Sequence, residues 1–562
     1  MPHHAVWPPR VPRTIELPVT ALGFNLEVVA RRHPEIPATL FFGAQMSYGE
    51  LHRQAEALAG WWQSRGLTRG DRIALYLQNS PQFLVAVYAA WRADAVVVLV
   101  NPMLRADELA HCLSDAGVRG VVAAGDGLAV MAQAIDALDV AKRPADVLVV
   151  RYADAMPAPP PDLAGSPALH ALFHHDAAWP AAPAGTGWHA WHTALVAGLR
   201  PGPTTCDVQS LALIAYTSGT TGRPKGCMHR HTSLSHNTIA SALWAGGLAA
   251  GQVALAAVPM FHITGFVYSV CASVAAAGTL ALMPRWDREL ALQLIERHRV
   301  QRWTCIPTMV IDLLASPNLT RERLASLELL SGGGSAMPQA VAERLVREFG
   351  LVFIEGYGLT ETAAPSHSNP LHKPKQQCLG IPYIGADSRI VDPETGRELG
   401  AGETGEIVTA GPMVFDGYWQ QPEATRAAFL ELDGKRFFRT GDLGHRDDEG
   451  YFFITDRLKR MINASGFKVW PTEVELLLFK CPLVQDACVI AARDAYRGET
   501  VKALIVPRAG TDASADAVVA WAREHMAAYK VPRQVEFVDA LPKSATGKVM
   551  WRMLQERENA KR

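Results

Sequence analysis

Helical and strand-like segments alternate along residues 46–125, and this alternation is the feature that most limits what the chain can fold into. MSYGELHRQAEALAGWWQSRGL has helical spacing of apolar residues, DRIALYL and AVVVLVN are typical of buried strands, and SPQFLVAVYAAWRA between them is helical. Continuous apolar strands of this kind occur in parallel sheets that helices cover on both faces. The sequence therefore predicts an α/β fold, and the alternation resumes from Leu211 to about Leu379.

The remaining segments predict smaller units. From IPYIGADSRIVD to YFFITD, short strands punctuated by Gly and Pro indicate an antiparallel β unit, and the last hundred or so residues have a compact α+β pattern. AMPAPPPDLAGSP and the Ala/Pro/Gly/His-rich stretch up to about Pro203 predict a surface loop or an insertion without chemistry.

Charge and cysteine usage exclude several classes of protein. The 54 Lys and Arg balance 55 Asp and Glu, which argues against a nucleic-acid binder and favours a small-molecule partner. The eight cysteines have no zinc-site spacing and indicate reduced thiols, and the N-terminus lacks the apolar core of a signal peptide. Residues 232–284 carry no Asp, Glu, Lys or Arg, but their small side chains predict a buried helix and strand rather than a membrane span.

A loop rich in glycine and hydroxyl groups follows the apolar run LALIAY, in the sequence YTSGTTGRPKG from Tyr216 to Gly226. Glycine lets the main chain approach an anion closely, and backbone N–H groups, hydroxyls and a lysine can bind phosphate oxygens. The loop departs from the Walker pattern, because Pro224 precedes Lys225 and Gly226 follows it. Taken alone, it is either a phosphate-binding loop or a surface turn, and a P-loop ATPase or kinase is the weaker interpretation.

Six further motifs follow the loop in order. They are PMFHITGF (259–266), SGGGSAMP (331–338), EGYGLTET (355–362), RTGDLG (439–444), DRLKRMINASGFKVWPTEVE (456–475) and PKSATGKVMWRML (542–554). Together the seven motifs closely resemble the adenylate-forming superfamily of acyl-coenzyme A synthetases, luciferases and adenylation domains of peptide synthetases. The resemblance covers nearly all of the chain from about residue 25.

This resemblance implies a large N-terminal domain of two mixed sheets with helices, a small β-barrel subdomain, and a small mobile α+β C-terminal domain. The expected AMP-binding domain spans 1–458, with its β-rich subdomain at about 380–455, and the expected C-terminal lid domain spans 459–562.

Activating a carboxylate requires one of its oxygens to attack the α-phosphate of ATP, so cations and fixed donors must offset the repulsion between two anions. The resemblance assigns the α-phosphate to Thr360 and a Mg²⁺ ion to Glu361, whose hard carboxylate suits a hard cation. It assigns the β- and γ-phosphates to the glycine-rich loop, with the residues Thr217, Ser218, Gly219, Thr220, Thr221, Gly222 and Lys225. On its own, Glu361 could also be an exposed glutamate at a helix start.

Adenosine is expected to lie against three motifs. Tyr357 would stack on the base, and Asp442 would accept hydrogen bonds from the ribose hydroxyls with help from Arg457. Small neighbours would let the base lie against the backbone, and the other residues implied here are Gly333, Gly334, Ser335, Ala336, Glu355, Gly356 and Gly358. In isolation, Tyr357 reads equally as a core residue and Asp442 as a turn residue.

Two half-reactions at one site need different surroundings, because coenzyme A attacks the acyl-adenylate after pyrophosphate has left. The resemblance places Lys548 on a mobile loop, where its ammonium stabilises charge between the carboxylate and the α-phosphate; the alternative is a solvated lysine. It also places a hinge at Lys459, about which the C-terminal domain swings. The residues that would then shape the pantetheine tunnel, or else form a β-turn feeding a strand, are Gly466, Phe467 and Lys468.

The acyl pocket is expected near PMFHITGF. His262 resembles the family's gate at this pocket, although a core histidine fits equally well. The other expected lining residues are Gly265, Phe266, Trp303, Met309 and Ala363, of which Gly265 and Ala363 would leave room for an extended chain. No Asp follows Phe261, where amino-acid-activating relatives hold the substrate ammonium. A medium- to long-chain fatty acid is therefore favoured, with an aryl or other apolar acid close behind.

The sequence thus predicts a cytoplasmic ATP-dependent acid–CoA ligase that forms acyl-AMP, releases pyrophosphate and transfers the acyl group to coenzyme A. ATP, Mg²⁺ and coenzyme A are the implied cofactors and co-substrates, a small carboxylic acid is the partner, and a homodimer is one option. Neither nucleic acid nor a membrane span is expected. Two other functions stay open: a ligase that loads a carrier protein, and a degenerate nucleotide-binding module, which the intact Glu361, Asp442 and Lys548 disfavour.

Overall fold

The structure is a computed structural model that describes residues 2–156, 169, 172–173, 178–217, 224–246, 249–457, 460, 462–464, 467–494, 498–544 and 548–561. The chain divides into two compact units. The larger unit comprises Val6–Asp387 and Ala410–Phe429, and the smaller unit comprises Met1–Ala5, Ser388–Thr409 and Leu430–Arg562. This division groups the β-rich segment with the C-terminal residues. The expected boundary between 458 and 459 lies outside the described residues and stays a prediction.

The first sheet of the larger unit has eight strands. In order across the sheet they are Gly417–Tyr418, Lys225–Arg230, Leu211–Thr217, Val96–Leu99, Arg72–Tyr76, Gly120–Ala124, Asp146–Val150 and Gly187–Ala190. The last six pair in parallel, whereas the first two pairings are antiparallel. The antiparallel pair brings Thr217 and Lys225, the two ends of the glycine-rich motif, side by side.

The second sheet has nine strands. In order they are Ile381–Pro382, Ala364–Ser368, Phe353–Leu359, Leu329–Gly332, Arg302–Cys305, Val253–Ala256, Thr279–Leu282, Pro37–Phe41 and Ala44–Ser47. Its six central strands are parallel, and its edges are antiparallel. The α/β class predicted from the apolar runs is therefore confirmed, and so are the mixed sheets that the family resemblance implies.

Helices Tyr48–Ser64 and Pro81–Arg92 lie in a core that the two sheets share, because Leu75 of the first sheet and Leu282 of the second belong to one buried cluster. The other α-helices described in this unit are Phe24–Arg32, Ala106–Ala116, Leu128–Asp136, Trp191–Val196, His231–Trp244, Ile263–Gly265, Arg288–His298, Pro307–Leu314, Gln339–Arg344 and Pro422–Ala427. Wider helical turns continue two of them, at Phe266–Ser273 and Leu345–Phe349. Single tight turns occur at Gly125–Gly127, Val140–Lys142, Tyr152–Ala155, Glu322–Leu324 and Thr360–Thr362.

One expectation about this unit is wrong. The stretch up to about Pro203 is predicted to be a surface loop or an insertion, but within it Gly187–Ala190 adds a parallel edge strand beside Asp146–Val150, and a helix follows at Trp191–Val196. Most of AMPAPPPDLAGSP lies outside the described residues. The Thr186 hydroxyl donates to the Pro144 carbonyl at 2.8 Å and fixes the start of this strand. A four-residue strand is too short for its periodicity to stand out in a segment rich in Ala, Pro and Gly.

The smaller unit contains two sheets. The first has the strands Asp387–Val391, Gly405–Ala410, Lys435–Arg446 and Phe429–Leu432, with Phe452–Arg457 also paired to the third. The second has Phe467–Val469, Ile462–Ala464, Gly498–Pro507 and Val484–Asp494, with Gln534–Phe537 parallel to Gly498–Pro507. Its helices are Pro471–Leu478, Ala515–His525 and Trp551–Ala560, with a tight turn at Pro2–Val6.

The helix and strands of the charge-free stretch from residue 232 to 284 pack into the larger unit, as expected. Helix His231–Trp244 has buried residues on nearly every side, and strands Val253–Ala256 and Thr279–Leu282 belong to the second sheet. In the described part of the chain, no helix combines the length and the apolar character needed to cross a membrane.

Candidate active site

The two described ends of the glycine-rich motif lie next to each other in the first sheet. Thr217 ends one strand and Lys225 begins the next, and the Thr217 hydroxyl donates to the Lys225 carbonyl at 3.5 Å. Both side chains are half-buried. The other predicted phosphate-binding residues, Ser218, Gly219, Thr220, Thr221 and Gly222, lie outside the described residues.

Thr360 and Glu361 lie on a single tight helical turn directly after strand Phe353–Leu359. Two backbone contacts fix this turn. The ring of His229 hydrogen-bonds through Nε2 to the Thr360 carbonyl at 2.7 Å, and the Phe415 N–H donates to the Glu361 carbonyl at 2.8 Å. Burial lowers the pKa of His229 to about 4, so its ring is neutral near neutral pH and Nε2 donates to the carbonyl.

The chain leaves this turn in a strained conformation. Ala363 and Ala364 have φ of 48° and 75°, in the left-handed region that favours glycine. The Asn237 side-chain amide donates to the carbonyls of Thr362, Ala363 and Pro365 at 3.0, 2.7 and 3.1 Å. Strained backbone persists only where its surroundings determine it, and Asn237 supplies that constraint here.

Lys225 and Glu361 converge on the side chain of Tyr418. The Tyr418 hydroxyl donates to Glu361 Oε1 at 2.9 Å, and Lys225 Nζ lies 4.8 Å from the centroid of the Tyr418 ring. Burial raises the pKa of Tyr418, and the nearby charge of Glu361 raises it further, so the phenol is protonated. Burial and the same carboxylate also raise the pKa of Cys227, which pairs with Tyr418 across the strands. A cation, a carboxylate and a phenol thus lie together at Lys225, where the described part of the glycine-rich motif resumes.

Four small residues, Gly333, Gly334, Ser335 and Ala336, follow strand Leu329–Gly332 of the second sheet and form a ledge. Gly332 pairs with Glu355, and a side chain on Gly333 would come within 2.2 Å of the Gly356 carbonyl oxygen, so this position requires glycine. Gly334, Ser335, Ala336 and Gly358 are exposed, and Gly356 and Tyr357 are partly exposed. The Tyr357 ring lies 5.5 Å from the ring of His367. The structure therefore brings the predicted adenine-binding motifs together as one accessible surface.

The buried side chain of Glu355 binds the backbone next to this ledge. Its buried carboxylate accepts hydrogen bonds from the Met337 N–H at 3.1 Å and the Cys378 N–H at 3.0 Å. Burial raises its pKa to about 7 although these backbone bonds oppose the shift. Glu355 therefore holds the backbone that follows Ala336, with its carboxylate turned away from the exposed side.

Glu355 should make stability depend on pH. Its pKa in the folded chain lies above the ordinary 4.5, so the folded state favours the protonated form, and stability falls as pH rises from about 4.5 through 7. The difference between this pKa of about 7 and the ordinary 4.5 corresponds to about 3 kcal/mol in the free energy of unfolding. Urea unfolding between pH 4.5 and 8 should show this loss in the wild type and its absence in Glu355→Gln. The exposed Glu343→Gln serves as the control, and an identical pH slope in all three proteins would contradict the assignment.

The expected acyl-pocket residues fall into two groups. Phe266 and Ala363 are fully buried in the core shared by the sheets, and His262 is half-buried beside them. Trp303 and Met309 belong to a separate buried cluster, in which Trp303 stacks on Trp286 at 5.6 Å. At Gly265, an added side chain would come within 2.2 Å of the Pro259 carbonyl oxygen, so this position requires glycine. That these residues line an acyl pocket stays a prediction.

In the smaller unit, Asp442 and Arg457 are backbone partners across two antiparallel strands. Asp442 is buried, and its N–H donates to the Thr440 hydroxyl at 3.1 Å. The adjacent Gly441 N–H donates to Glu406, whose carboxylate also binds Arg439 at 2.6 Å. The RTGD turn is therefore fixed by the ion pair between the buried Glu406 and the partly exposed Arg439.

Lys548 is exposed in the smaller unit. Its carbonyl accepts from the Ser544 N–H at 2.8 Å, and its N–H donates to the Ser544 hydroxyl at 3.2 Å. Ser544 and Lys548 therefore lie side by side. Phe467 and Lys468 lie in a short strand paired with Ile462–Ala464. The predicted hinge residue Lys459 and the predicted tunnel residue Gly466 lie outside the described residues.

Sequence reasoning missed three residues that organise this site: His229, Asn237 and Tyr418. His229 and Asn237 are buried, but they lie in the polar run HRHTSLSHNT (229–238), where nothing in the sequence distinguishes them from surface residues. Tyr418 lies 57 residues from Glu361 on a two-residue strand, and nothing local in the sequence marks it.

Comparisons with known proteins agree with this arrangement. Residues 26–419 match the family model described as AMP-binding enzyme, and residues 473–548 match the model of the AMP-binding enzyme C-terminal domain. The chain is 33% identical over 565 residues to a long-chain-fatty-acid–CoA ligase of Bacillus subtilis (strain 168), covering 99% of this chain and 98% of the relative. It is 34% identical over 524 residues to a feruloyl-CoA synthase of an Amycolatopsis species, covering 93% and 96%.

Among solved structures, ATP-bound MatB from Rhodopseudomonas palustris matches with a TM-score of 0.81 at 29% identity, covering 97% of this chain and 99% of that chain. The family model alone spans more than half of the sequence. The chain therefore belongs to the AMP-binding enzyme family, among the acyl-coenzyme A synthetases of the adenylate-forming superfamily that its seven motifs resemble.

Proposed function

We propose that this enzyme is an ATP-dependent acid–CoA ligase, which joins a carboxylic acid to AMP with release of pyrophosphate and then transfers the acyl group to coenzyme A. The observation that carries the proposal is the convergence of Lys225 and Glu361 on Tyr418 at the glycine-rich motif. A cation and a hard carboxylate at one loop suit a nucleotide triphosphate that arrives with a divalent ion.

In the first half-reaction, a carboxylate oxygen of the acid attacks the α-phosphorus of ATP, and the bond to the bridging oxygen of pyrophosphate breaks. Lys225 and the hydroxyl of Thr217 would bind the β- and γ-phosphates, together with Ser218, Thr220 and Thr221. Thr360 would contact the α-phosphate. Fixed donors of this kind offset the repulsion between the two anions without reorganising during the reaction.

The residues present fit a magnesium ion. Mg²⁺ is commonly bound by one or two carboxylates together with substrate phosphates, and Glu361 supplies one carboxylate that Tyr418 orients. Among the described residues no three His, Cys, Asp or Glu side chains form a metal cage, as suits an ion held largely by its nucleotide. When bound, Mg²⁺ would neutralise phosphate charge.

The adenosine and lid residues complete the proposal. Tyr357 would stack on adenine along the ledge of small residues, and Asp442 and Arg457 would bind the ribose. Lys548, on an exposed loop, would stabilise charge between the acid and the α-phosphate. Rotation at Lys459 would then replace Lys548 with Gly466, Phe467 and Lys468 for the transfer to coenzyme A.

A medium- to long-chain fatty acid is the substrate we favour, because a long-chain-fatty-acid–CoA ligase is 33% identical to this chain over 565 residues and no Asp follows Phe261. An aryl acid is the second candidate, since the feruloyl-CoA synthase is as similar to this chain as the fatty-acid ligase. His262 would lie at the entrance in either case.

A matrix of acids with and without coenzyme A tests the proposal. Pyrophosphate release should require ATP, Mg²⁺ and an acid, and a thioester should form only when coenzyme A is present. Fatty acids of graded length should give higher kcat/KM than benzoate or ferulate. Adenylation without thioester formation would point to a carrier protein as acceptor, and no pyrophosphate with any acid would leave only nucleotide binding.

The hinge has its own test. Lys459→Pro should lower thioester formation about tenfold or more while largely sparing acyl-adenylate formation, because proline fixes φ at the position about which the lid would turn. Single-turnover assays of each half-reaction separate the two effects. Lys459→Ala, which leaves φ free, is the control; undiminished thioester formation in the proline variant would refute the swing.

A further inference from the structure

Tyr418 is held firmly at the point where it meets the two charged residues. It pairs with Cys227 across two antiparallel strands, and its N–H donates to the Thr425 hydroxyl at 2.9 Å. The next residue, Trp419, donates its N–H to the Gly226 carbonyl at 2.8 Å and its indole N–H to the Asp115 carbonyl at 2.9 Å. The backbone of Tyr418 and the following residue, Trp419, are therefore fixed before any ligand binds.

One side chain contacts two charged groups of opposite sign. The phenol donates to the Glu361 carboxylate at 2.9 Å, and this hydrogen bond fixes the rotation of that carboxylate. The face of the same ring lies 4.8 Å from Lys225 Nζ, which is within the range of a cation–π contact. Phe415 packs against the ring edge at 4.9 Å and limits its movement.

We propose that Tyr418 is a positioning residue: its hydroxyl orients the Glu361 carboxylate toward the nucleotide-bound metal, and its ring orients Lys225 toward the phosphates. The inference rests on the proposed function, because it assigns Glu361 and Lys225 to the metal and the phosphates. Tyr418 itself takes no part in bond making. A preoriented ligand binds more tightly because less rotational freedom is lost on binding.

Metal binding can be measured without turnover. Mn²⁺ replaces Mg²⁺, and α,β-methylene-ATP, which cannot release pyrophosphate, replaces ATP; free Mn²⁺ is followed by electron paramagnetic resonance. Tyr418→Phe keeps the ring contacts with Lys225 and Phe415 and removes only the hydroxyl. It should raise the apparent Kd of Mn²⁺ about five- to tenfold, the fold-change that corresponds to losing one ordinary hydrogen bond. The affinity for the metal-free nucleotide should change less than about twofold.

Tyr418→Leu removes the ring as well. Because the cation–π contact with Lys225 is lost, this variant should weaken the binding of the metal-free nucleotide about threefold in addition to the loss of Mn²⁺ affinity. Tyr76→Phe is the matched control, since its hydroxyl donates to the Leu104 carbonyl at 3.0 Å elsewhere in the same sheet. It should leave both affinities unchanged.

A double-mutant cycle separates positioning from a general structural effect. If Tyr418 acts through Glu361, then Tyr418→Phe should have no further effect on Mn²⁺ affinity in a Glu361→Gln background. An effect of equal size in both backgrounds would overturn the proposal, as would wild-type Mn²⁺ affinity in Tyr418→Phe. Failure of the proposed function is distinguishable from these outcomes, because it would show as a wild type that makes no acyl-adenylate from any acid.

Discussion

Lys548→Ala should slow acyl-adenylate formation by at least ~10²-fold, on the order of removing one preorganised donor from a reaction between two anions. Transfer of the acyl group from supplied acyl-adenylate to coenzyme A should be largely spared, because the lid would have withdrawn this ammonium by then. Pyrophosphate release in a single turnover measures the first step, and thioester formation from synthetic acyl-AMP measures the second.

Lys543→Ala is the matched control for this experiment. Lys543 lies in the same loop, is also exposed, and pairs with Asp486 at 2.9 Å. Its loss should leave both half-reactions within about twofold of the wild type, since exposed ion pairs contribute little. Equal damage to the two half-reactions in Lys548→Ala would contradict a lid with two positions.

The parts of the fold that sequence located correctly are those with strong local periodicity. Buried parallel strands such as Val96–Leu99 are continuous apolar runs, and helix Pro81–Arg92 begins at a serine whose hydroxyl accepts from the Phe83 N–H at 3.3 Å. The strand Gly187–Ala190 was missed because it is short and lies in a segment of small residues. Its place in the sheet depends on pairing with Asp146–Val150, which no local pattern encodes.

The residues of the candidate site divide in the same way, into those that a local motif marks and those that only the tertiary fold brings together. Glycine-rich motifs marked Thr217, Lys225, Gly333 and Glu361, because each chemical group lies within a local signature. Tyr418 acquires its contacts only when a two-residue strand pairs with Lys225–Arg230, so its proximity to Glu361 is a product of the tertiary fold. At Gly265 the sequence suggests room for a substrate, and the structure adds that a side chain at this position would meet the Pro259 carbonyl oxygen.

These contacts indicate why the turn that carries Glu361 is built so rigidly. His229 and Phe415 bind the carbonyls of Thr360 and Glu361, and Asn237 holds the strained residues that follow. If Glu361 binds the metal as proposed, its carboxylate gains from a backbone that is held in one position. The cost is two alanines with left-handed φ, which the buried polar side chains offset.

Glu361→Gln should lower the rate of acyl-adenylate formation about 10²-fold and raise the Mg²⁺ concentration needed for half-maximal rate. The amide keeps the shape of the side chain and can still accept from the Tyr418 hydroxyl at its oxygen, but it loses the negative charge that suits a hard cation. Initial rates of pyrophosphate release at graded Mg²⁺ and saturating ATP measure both quantities. Glu423→Gln is the control, because Glu423 is an exposed carboxylate in the 410–429 segment that contains Tyr418. An unchanged Mg²⁺ requirement in Glu361→Gln would remove this carboxylate from the metal site, whatever its effect on the rate.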